Sequence, residues 1–309
     1  MVTAAISEML LATNQNTLQE FDASSPLTEE ASEVLYKLPS LRSLSVDIER
    51  KTLLPSASLP NLTKLTITCD NEDDWPRLFH GATLGKLESV AFFLRSEQIG
   101  DFLGTFKRAV LHSSVQNTLS KFYLSTPCSW DPVYSSLLPF TQMVVLDIWE
   151  SFCHDGCSSR VDDDIVISLS RAMPKLETLG LGGTPCRQTA IGVTAKGLMA
   201  LAHHCPNLST LRTHLQAASL SDPLVIAGIV PRARPAASWT DCALTRLEVG
   251  ETPLPHGSTF AISLALLRIF PRLDYIGFID EEWGEVKNAI NHLKPIIDYP
   301  SKQRPFTTS

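Results

Sequence analysis

The sequence predicts an α/β solenoid built from short stacked repeats, each contributing one strand and one helix. Three observations carry this. A six-residue apolar pattern returns along nearly the whole 309-residue chain, a proline junction precedes many of its copies, and amphipathic stretches of helical period lie between them.

The pattern is an apolar residue, two variable positions, an apolar residue, one variable position and a final apolar residue. It occurs at Leu41-Leu44-Val46, Leu62-Leu65-Ile67, Leu87-Val90-Phe92 and Leu119-Phe122-Leu124. It continues at Met143-Leu146-Ile148, Leu176-Leu179-Leu181, Leu244-Leu247-Val249 and Leu273-Ile276-Phe278. Leu208-Leu211-Thr213 has a polar third position, and Leu18-Phe21-Ala23 is a degenerate first copy. Successive copies are separated by as few as 21 residues (Leu41 to Leu62) and as many as 36 (Leu208 to Leu244). Most spacings lie in or near the leucine-rich-repeat range, the longer ones carrying insertions.

The last three residues of each copy alternate as a strand does, so the two apolar side chains point inward and the residue between them points out. A buried Leu, Ile or Val contributes roughly 1.5–3 kcal/mol, but one repeat alone cannot bury its own. Neighbours must therefore stack on a shared core. Ahead of the strands stand Leu38-Pro39-Ser40-Leu41, Leu59-Pro60-Asn61-Leu62, Met173-Pro174-Lys175-Leu176, Cys205-Pro206-Asn207-Leu208 and Phe270-Pro271-Arg272-Leu273. In each, an apolar residue ends a helix and proline stops it. Helical apolar faces are marked by Leu27, Ala31, Val34, Leu35 and Leu38, by Ile99, Phe102, Leu103 and Phe106, and by Ile165, Leu169 and Ala172. Asp162, Asp163 and Asp164 precede the last of these, where carboxylates suit a helix N-terminus. Strand–helix alternation predicts a curved parallel sheet on the concave face with helices on the convex face. The expected organisation is an N-terminal helix or cap over 1–14, about ten irregular repeats over 15–298, and a disordered tail over 299–309.

The stretch Gly197-Leu198-Met199-Ala200-Leu201-Ala202-His203-His204-Cys205-Pro206-Asn207-Leu208-Ser209-Thr210-Leu211 resembles the cysteine-containing leucine-rich repeat of F-box leucine-rich-repeat proteins. Those are substrate adaptors of cullin-type ubiquitin ligases, and the irregular repeats with Leu-Pro-x-Leu junctions look like the fungal members. The resemblance covers roughly residues 15–298. It implies a substrate-recognition module that brings proteins to a ligase. Two departures accompany it. The family's Asn-or-Cys position after the strand holds Glu49, Asp70, Arg95, Thr184 and Thr252, with Cys69 one residue early, so the internal side-chain ladder is expected to be absent or replaced. About fifteen residues precede the first repeat, too few for an F-box. A ligase role therefore requires an N-terminal F-box in the native protein, and the alternative is a stand-alone repeat scaffold.

Composition bounds the function further. Hydrophobic residues make up 44% of the chain and charged ones 19%, which supports a large core. The net charge of −7 and the absence of basic runs longer than a pair argue against nucleic acid as partner. Seven cysteines spread singly are the pattern of reduced intracellular thiols. No secretory signal is read at the start, where Glu8 interrupts a short apolar stretch. Nor is a membrane span read, since Ala261 to Phe270 is short and holds Arg268. The expected location is cytoplasmic, nuclear or both.

No catalytic, cofactor or metal site is predicted. Cys153-His154-Asp155-Gly156-Cys157 could supply half a zinc site, but no second pair of suitable spacing follows, so it reads as an inter-repeat loop. Gly180-Leu181-Gly182-Gly183 fits neither phosphate-loop fingerprint and reads as a strand with its turn. His203 and His204 sit at a helix end, where histidine can meet the last carbonyls. Neither Gly-x-Ser-x-Gly nor His-Glu-x-x-His occurs. The enzyme alternative, a hydrolase or cysteine enzyme, would show itself as an abnormally reactive Cys153 or Cys157.

A protein partner is expected on the concave strand face. The variable strand positions there are Phe93, Lys121, Tyr123, Asp147, Trp149, Arg212, His214, Arg246, Glu248 and Tyr275. Aromatic and arginine side chains are the usual anchors of interfaces. Phe93, Tyr123 and Trp149 fall on consecutive strands and are expected to neighbour one another, unless a loop covers them or a one-residue register error buries them instead. The insertion Ala217 to Asp241 reads as a binding loop or as one extra helix. Trp283, Val286, Ile290, Leu293 and Ile296 read as a helix capping the last repeat.

Overall fold

The computed structural model describes residues 8, 17–23, 34–35, 38–48, 59–69, 84, 86–95, 114–126, 131–150, 161–182, 192–222, 242–250, 252–278 and 281–298. The chain forms two compact units. One comprises residues 1–159 with 172–176 and 182–186, the other 160–171, 177–181 and 187–309.

The first unit holds β1 (Glu20–Ala23), β2 (Ser43–Ile48), β3 (Lys64–Cys69), β4 (Ser89–Leu94), β5 (Lys121–Thr126) and β6 (Val145–Glu150). They pair in parallel and in chain order, with Phe21, Leu44, Leu65, Val90, Phe122 and Leu146 level with one another. Helix α1 (Asp131–Leu137) lies between β5 and β6 in sequence. The second unit holds β7 (Thr178–Leu181), β8 (Thr210–Arg212), β9 (Arg246–Glu248) and β10 (Tyr275–Gly277), again parallel, with Leu179, Leu211, Leu247 and Ile276 level. Its helices are α2 (Asp163–Ala172), α3 (Ala195–His204), α4 (Ala217–Leu220), α5 (Thr259–Ile269) and α6 (Glu282–Asp298). One strand per repeat, parallel and in chain order with helices between, is the α/β leucine-rich-repeat solenoid.

The motif positions form the core as the alternation requires. Each of Leu44, Val46, Leu65, Ile67, Val90, Phe92, Phe122, Leu124, Leu146 and Ile148 is buried, as are Leu179, Leu181, Leu211, Leu247 and Val249. The polar third position Thr213 is buried as well. At the first and last strands the pattern relaxes: Leu18 and Phe278 are only half-buried. A terminal strand has a neighbour on one side only, so its inward positions are less completely covered.

The proline junctions and the Phe140–Met143 segment share one turn. The amides of Leu41, Leu62, Met143, Leu176, Leu208 and Leu273 each donate to the carbonyl three residues earlier, at 3.1–3.4 Å. The next feature was not visible in the sequence. The carbonyl just before a strand accepts two amides from the following repeat, as Arg42 does from Thr63 and Lys64 and Ser209 does from Thr245 and Arg246. Hydroxyls add a third donor: Thr63 to Arg42 (3.1 Å), Ser120 to Glu88 (3.2 Å) and Ser209 to Glu177 (2.9 Å). These bonds satisfy backbone groups that lie outside the strand ladder.

In the second unit a side chain replaces the expected ladder at one rung. Buried Thr252 accepts the Leu215 amide (3.1 Å) and donates to the Val249 carbonyl (2.6 Å), while the Trp283 indole donates to the Thr252 carbonyl (2.6 Å). Asp162 caps α2 through the Ile165 amide (3.0 Å). Asp163 instead serves the next helix. It accepts the Thr194 amide (2.9 Å), the Thr194 hydroxyl (2.5 Å) and the Gly197 amide (3.1 Å). The adjacent carboxylates thus hold the N-termini of two helices, α2 and α3.

Several expectations need correction or fall elsewhere. Helix α6 buries Trp283, Val286 and Ile290, but Leu293 is half-buried and Ile296, just past Pro295, is 68% exposed, so the apolar cap ends a turn earlier than its spacing implied. The start of the long insertion is helical (α4), while 223–241 lie outside the described residues. Most of 1–14, the helix over 99–106, Cys153 to Cys157, Gly183 and the tail 299–309 also lie outside them. Gly182 turns the chain after β7 with φ of 93°. Among the described residues, no helix is long and apolar enough to cross a membrane.

Candidate functional site

The exposed positions of β4, β5 and β6 form three rows set by the parallel register. Ser89, Lys121 and Val145 are level at the start of the strands. Ala91, Tyr123 and Asp147 make the middle row, and Phe93, Ser125 and Trp149 the last. Phe93 and Trp149 therefore flank Ser125, not Tyr123, which corrects the expected trio. Tyr123 lies diagonally, one strand across and two residues back from each. The register itself is the expected one, since Phe93 points outward at 44% exposure and Tyr123, Asp147 and Trp149 are half-buried. Burial first and the Asp147 carboxylate second push the Tyr123 phenol above its ordinary value. Lys121 is exposed at the strand start. Beside this group, Arg95 reaches Asp47 of β2 at 3.8 Å.

In the second unit, Arg246 and Tyr275 are level on β9 and β10, and Arg212 and Glu248 are level on β8 and β9. The Arg246 guanidinium lies 4.6 Å from the centre of the Tyr275 ring, and its Nε donates to Glu248 Oε1 at 2.7 Å. That bond, with the Glu248 charge, raises the Arg246 pKa and keeps the guanidinium charged. Lys287 from α6 approaches the same ring at 5.4 Å, so the 41%-exposed tyrosine carries two cations. Lys287 was missed because it comes from a helix that the strand pattern does not register. The His214 ring lies over Gly250, whose φ is +59° and where a Cβ would stand 2.9 Å from His214 Cε1.

Thus the first unit gathers Phe93, Tyr123, Asp147 and Trp149 with Lys121 at the edge, and the second gathers Arg246, Glu248 and Tyr275 with Arg212 beside them. A separate polar cleft of about 340 Å³ lies near the early repeats, lined by Gln19, Pro39, Ser40, Arg42, Asn61, Thr63 and Lys86. There Lys86 donates to Asn61 Oδ1 (2.9 Å) and Asn61 donates to the Pro39 carbonyl (2.8 Å). His203 and His204 meet edge to face at 4.7 Å at the end of α3. Burial pushes the Cys205 thiol up to about 12, and it donates to the Ser170 carbonyl. A thiol in that environment is not a poised nucleophile. Among the described residues, no group of three or more His, Cys, Asp or Glu side chains could hold a metal ion.

No known family profile matches the chain, and no curated protein matches it in sequence. Among solved structures it is similar to a chain in the crystal structure of the yeast Rad7 and Elc1 complex, at 16% identity and a TM-score of 0.45. The similarity covers 89% of this chain and 74% of that one.

Proposed function

We propose that this chain is a protein-binding repeat module whose partner docks on the outer face of the strands, with Phe93, Tyr123 and Trp149 as principal anchors. The observation that carries the reading is a large apolar ring held 44% exposed near the end of β4, with two further aromatics on the next two strands. By contrast, β3 presents Lys64, Thr66 and Thr68 at its outward positions. Aromatic side chains so placed cost little entropy to order, and a central one contributes roughly 2 kcal/mol or more to an interface, about 30-fold in affinity. Lys121 and Asp147 complete the proposed contact set of the first unit; Arg212, His214, Arg246, Glu248 and Tyr275 are a separate proposed contact set on the second.

The test places a photo-crosslinking phenylalanine analogue at position 93, and at exposed Ser135 of α1 as control, in cells. Crosslinks to one protein from 93 and not from 135, lost on Trp149→Ala with an unchanged circular-dichroism melt, support the reading. Equal labelling from both positions, or an unfolded Trp149→Ala protein, sinks it.

The finer assignment, the substrate-recognition part of an F-box adaptor of a cullin-type ubiquitin ligase, is supported by the repeat resemblance over Gly197 to Leu211. Recovery of a cullin with the natural full-length protein would bear it out. A crosslinked partner without any cullin would favour a stand-alone scaffold.

A further inference from the structure

We infer that the polar cleft near the early repeats is an oxyanion site, which takes a carboxylate or phosphate group carried on the partner polypeptide and holds it between Lys86 and Arg42. The inference rests on the protein-binding reading above and adds a second point of contact together with its chemistry.

The turns before β2, β3 and β4 place Ser40, Asn61 and Lys86 at matching positions, each one residue ahead of a buried leucine (Leu41, Leu62 and Leu87). Arg42 and Thr63 follow two residues after Ser40 and Asn61, directly before Ser43 and Lys64, which pair at the starts of β2 and β3. These five residues line the cleft with Gln19 and Pro39. Asn61 is used in both directions there. Its amide donates to the Pro39 carbonyl (2.8 Å) and its oxygen accepts from the Lys86 ammonium (2.9 Å). The second contact draws Lys86 from its own repeat toward the preceding one. An ammonium has three hydrogens, so two remain for a ligand.

The backbone acceptors around the cleft are already engaged. The Gln19 carbonyl accepts the Arg42 and Ser43 amides, and the Arg42 carbonyl accepts the Thr63 and Lys64 amides and the Thr63 hydroxyl. The Thr63 carbonyl accepts the Glu88 and Ser89 amides. The cations are not engaged by charge. Among the described residues, no carboxylate pairs with Arg42, Lys64 or Lys86, and neither Glu20 nor Glu88 lines the cleft. The same lysine-to-amide contact recurs in a later repeat, where Lys175 donates to Gln142 (2.6 Å). The position that matches Arg42 there is Ser120, so the later copy has one cation where the early repeats have two. A guanidinium presents paired N–H donors that match two oxygens of a carboxylate or phosphate, and an ammonium adds a point charge. The chain's net charge of −7 opposes an anion only weakly at this place, because physiological salt screens charges beyond about 8 Å.

The test is an NMR titration of the isotope-labelled protein with peptides of the form acetyl-Gly-X-Gly-amide, in which X is glutamate, phosphoserine or glutamine. The readouts are the Asn61 side-chain amide and the Arg42 Nε–H signals. Both anionic peptides are expected to shift both signals saturably, phosphoserine at the lower concentration because it carries about two charges. The glutamine peptide is expected to shift neither. Lys86→Gln and Arg42→Gln should each weaken the glutamate peptide about fivefold, read on the Asn61 signal. Lys86 and Arg42 are exposed, so neither substitution removes a core contact. Lys175→Gln, at the matching junction of the later repeat, should leave binding unchanged. Equal shifts with the glutamine peptide, no effect of Lys86→Gln and Arg42→Gln, or an equal loss with Lys175→Gln would overturn the inference. The two readings fail separately. A specific crosslink from position 93, in a protein whose cleft signals ignore both anionic peptides, would keep the protein-binding function and refute the oxyanion site. Saturable cleft shifts without any specific crosslink would refute the function and with it the assignment of the anion to a partner polypeptide.

Discussion

Replacing Gly197 by alanine should destabilise the second unit, although the residue lies within α3, where propensity alone favours alanine over glycine by about 1 kcal/mol. A Cβ at Gly197 would stand 2.5 Å from Asp163 Oδ1 and 2.7 Å from Val193 Cγ1, closer than real Cβ atoms approach. Asp163 Oδ1 is also the atom that accepts the Thr194 and Gly197 amides. Displacing it gives up two charge-assisted bonds at about 1.5 kcal/mol each. Set against the propensity gain, the net loss is about 2 kcal/mol, or roughly 30-fold in the local opening equilibrium. Repeat arrays need not unfold in one step, so hydrogen exchange of the α3 amides, read by mass spectrometry, is the suitable assay. Gly284→Ala is the control. It lies in the first turn of α6, and its Cβ would meet nothing closer than Phe278 Cζ at 3.6 Å, so exchange there should stay level or slow. If Gly197→Ala slows exchange as Gly284→Ala does, helix propensity outweighs the Asp163 contact and the inter-repeat cap contributes little.

Three further outcomes are expected. Thr252→Val should speed exchange of the Leu215 amide and cost about 1–3 kcal/mol, because it removes a buried acceptor without changing shape; an unchanged Leu215 amide would refute the replacement rung. Trp283→Phe should cost a similar amount, read as a lower urea midpoint for the second unit, since the Thr252 carbonyl loses its indole donor. Cys205, with its thiol pushed up to about 12, should resist iodoacetamide at pH 8 until urea unfolds it. The pH dependence has a defined sign: a raised native pKa stabilises the fold fully below the unfolded value near 9.0, and that contribution is lost as pH rises toward 12. Rapid native labelling of Cys205 would contradict its burial.

The repeat was legible because burial imposes periodicity. An inward pair such as Leu65 and Ile67 must recur wherever a strand stacks, and a proline such as Pro60 must stop the segment before it. The outward positions were legible from the same alternation, so Phe93 and Tyr275 were identified as exposed aromatics before any contact was known. Lateral placement was not. Whether Trp149 sits beside Tyr123 or beside Ser125 depends on the register between strands more than 20 residues apart, and no local pattern encodes it. The same holds for Lys287, which reaches Tyr275 from a helix, and for Asp163, which reads as the cap of its own helix and serves the next one.

By itself, the sequence determined which residues must be buried and how often, because the cost of exposing apolar side chains is paid locally at every strand. It also determined which strand side chains point outward. Only the tertiary structure decided which of those lie level with one another, which carbonyl receives each spare amide, and why glycine rather than alanine occupies position 197. Those are questions of distance between segments far apart in the chain, and distance is fixed only once the repeats have stacked.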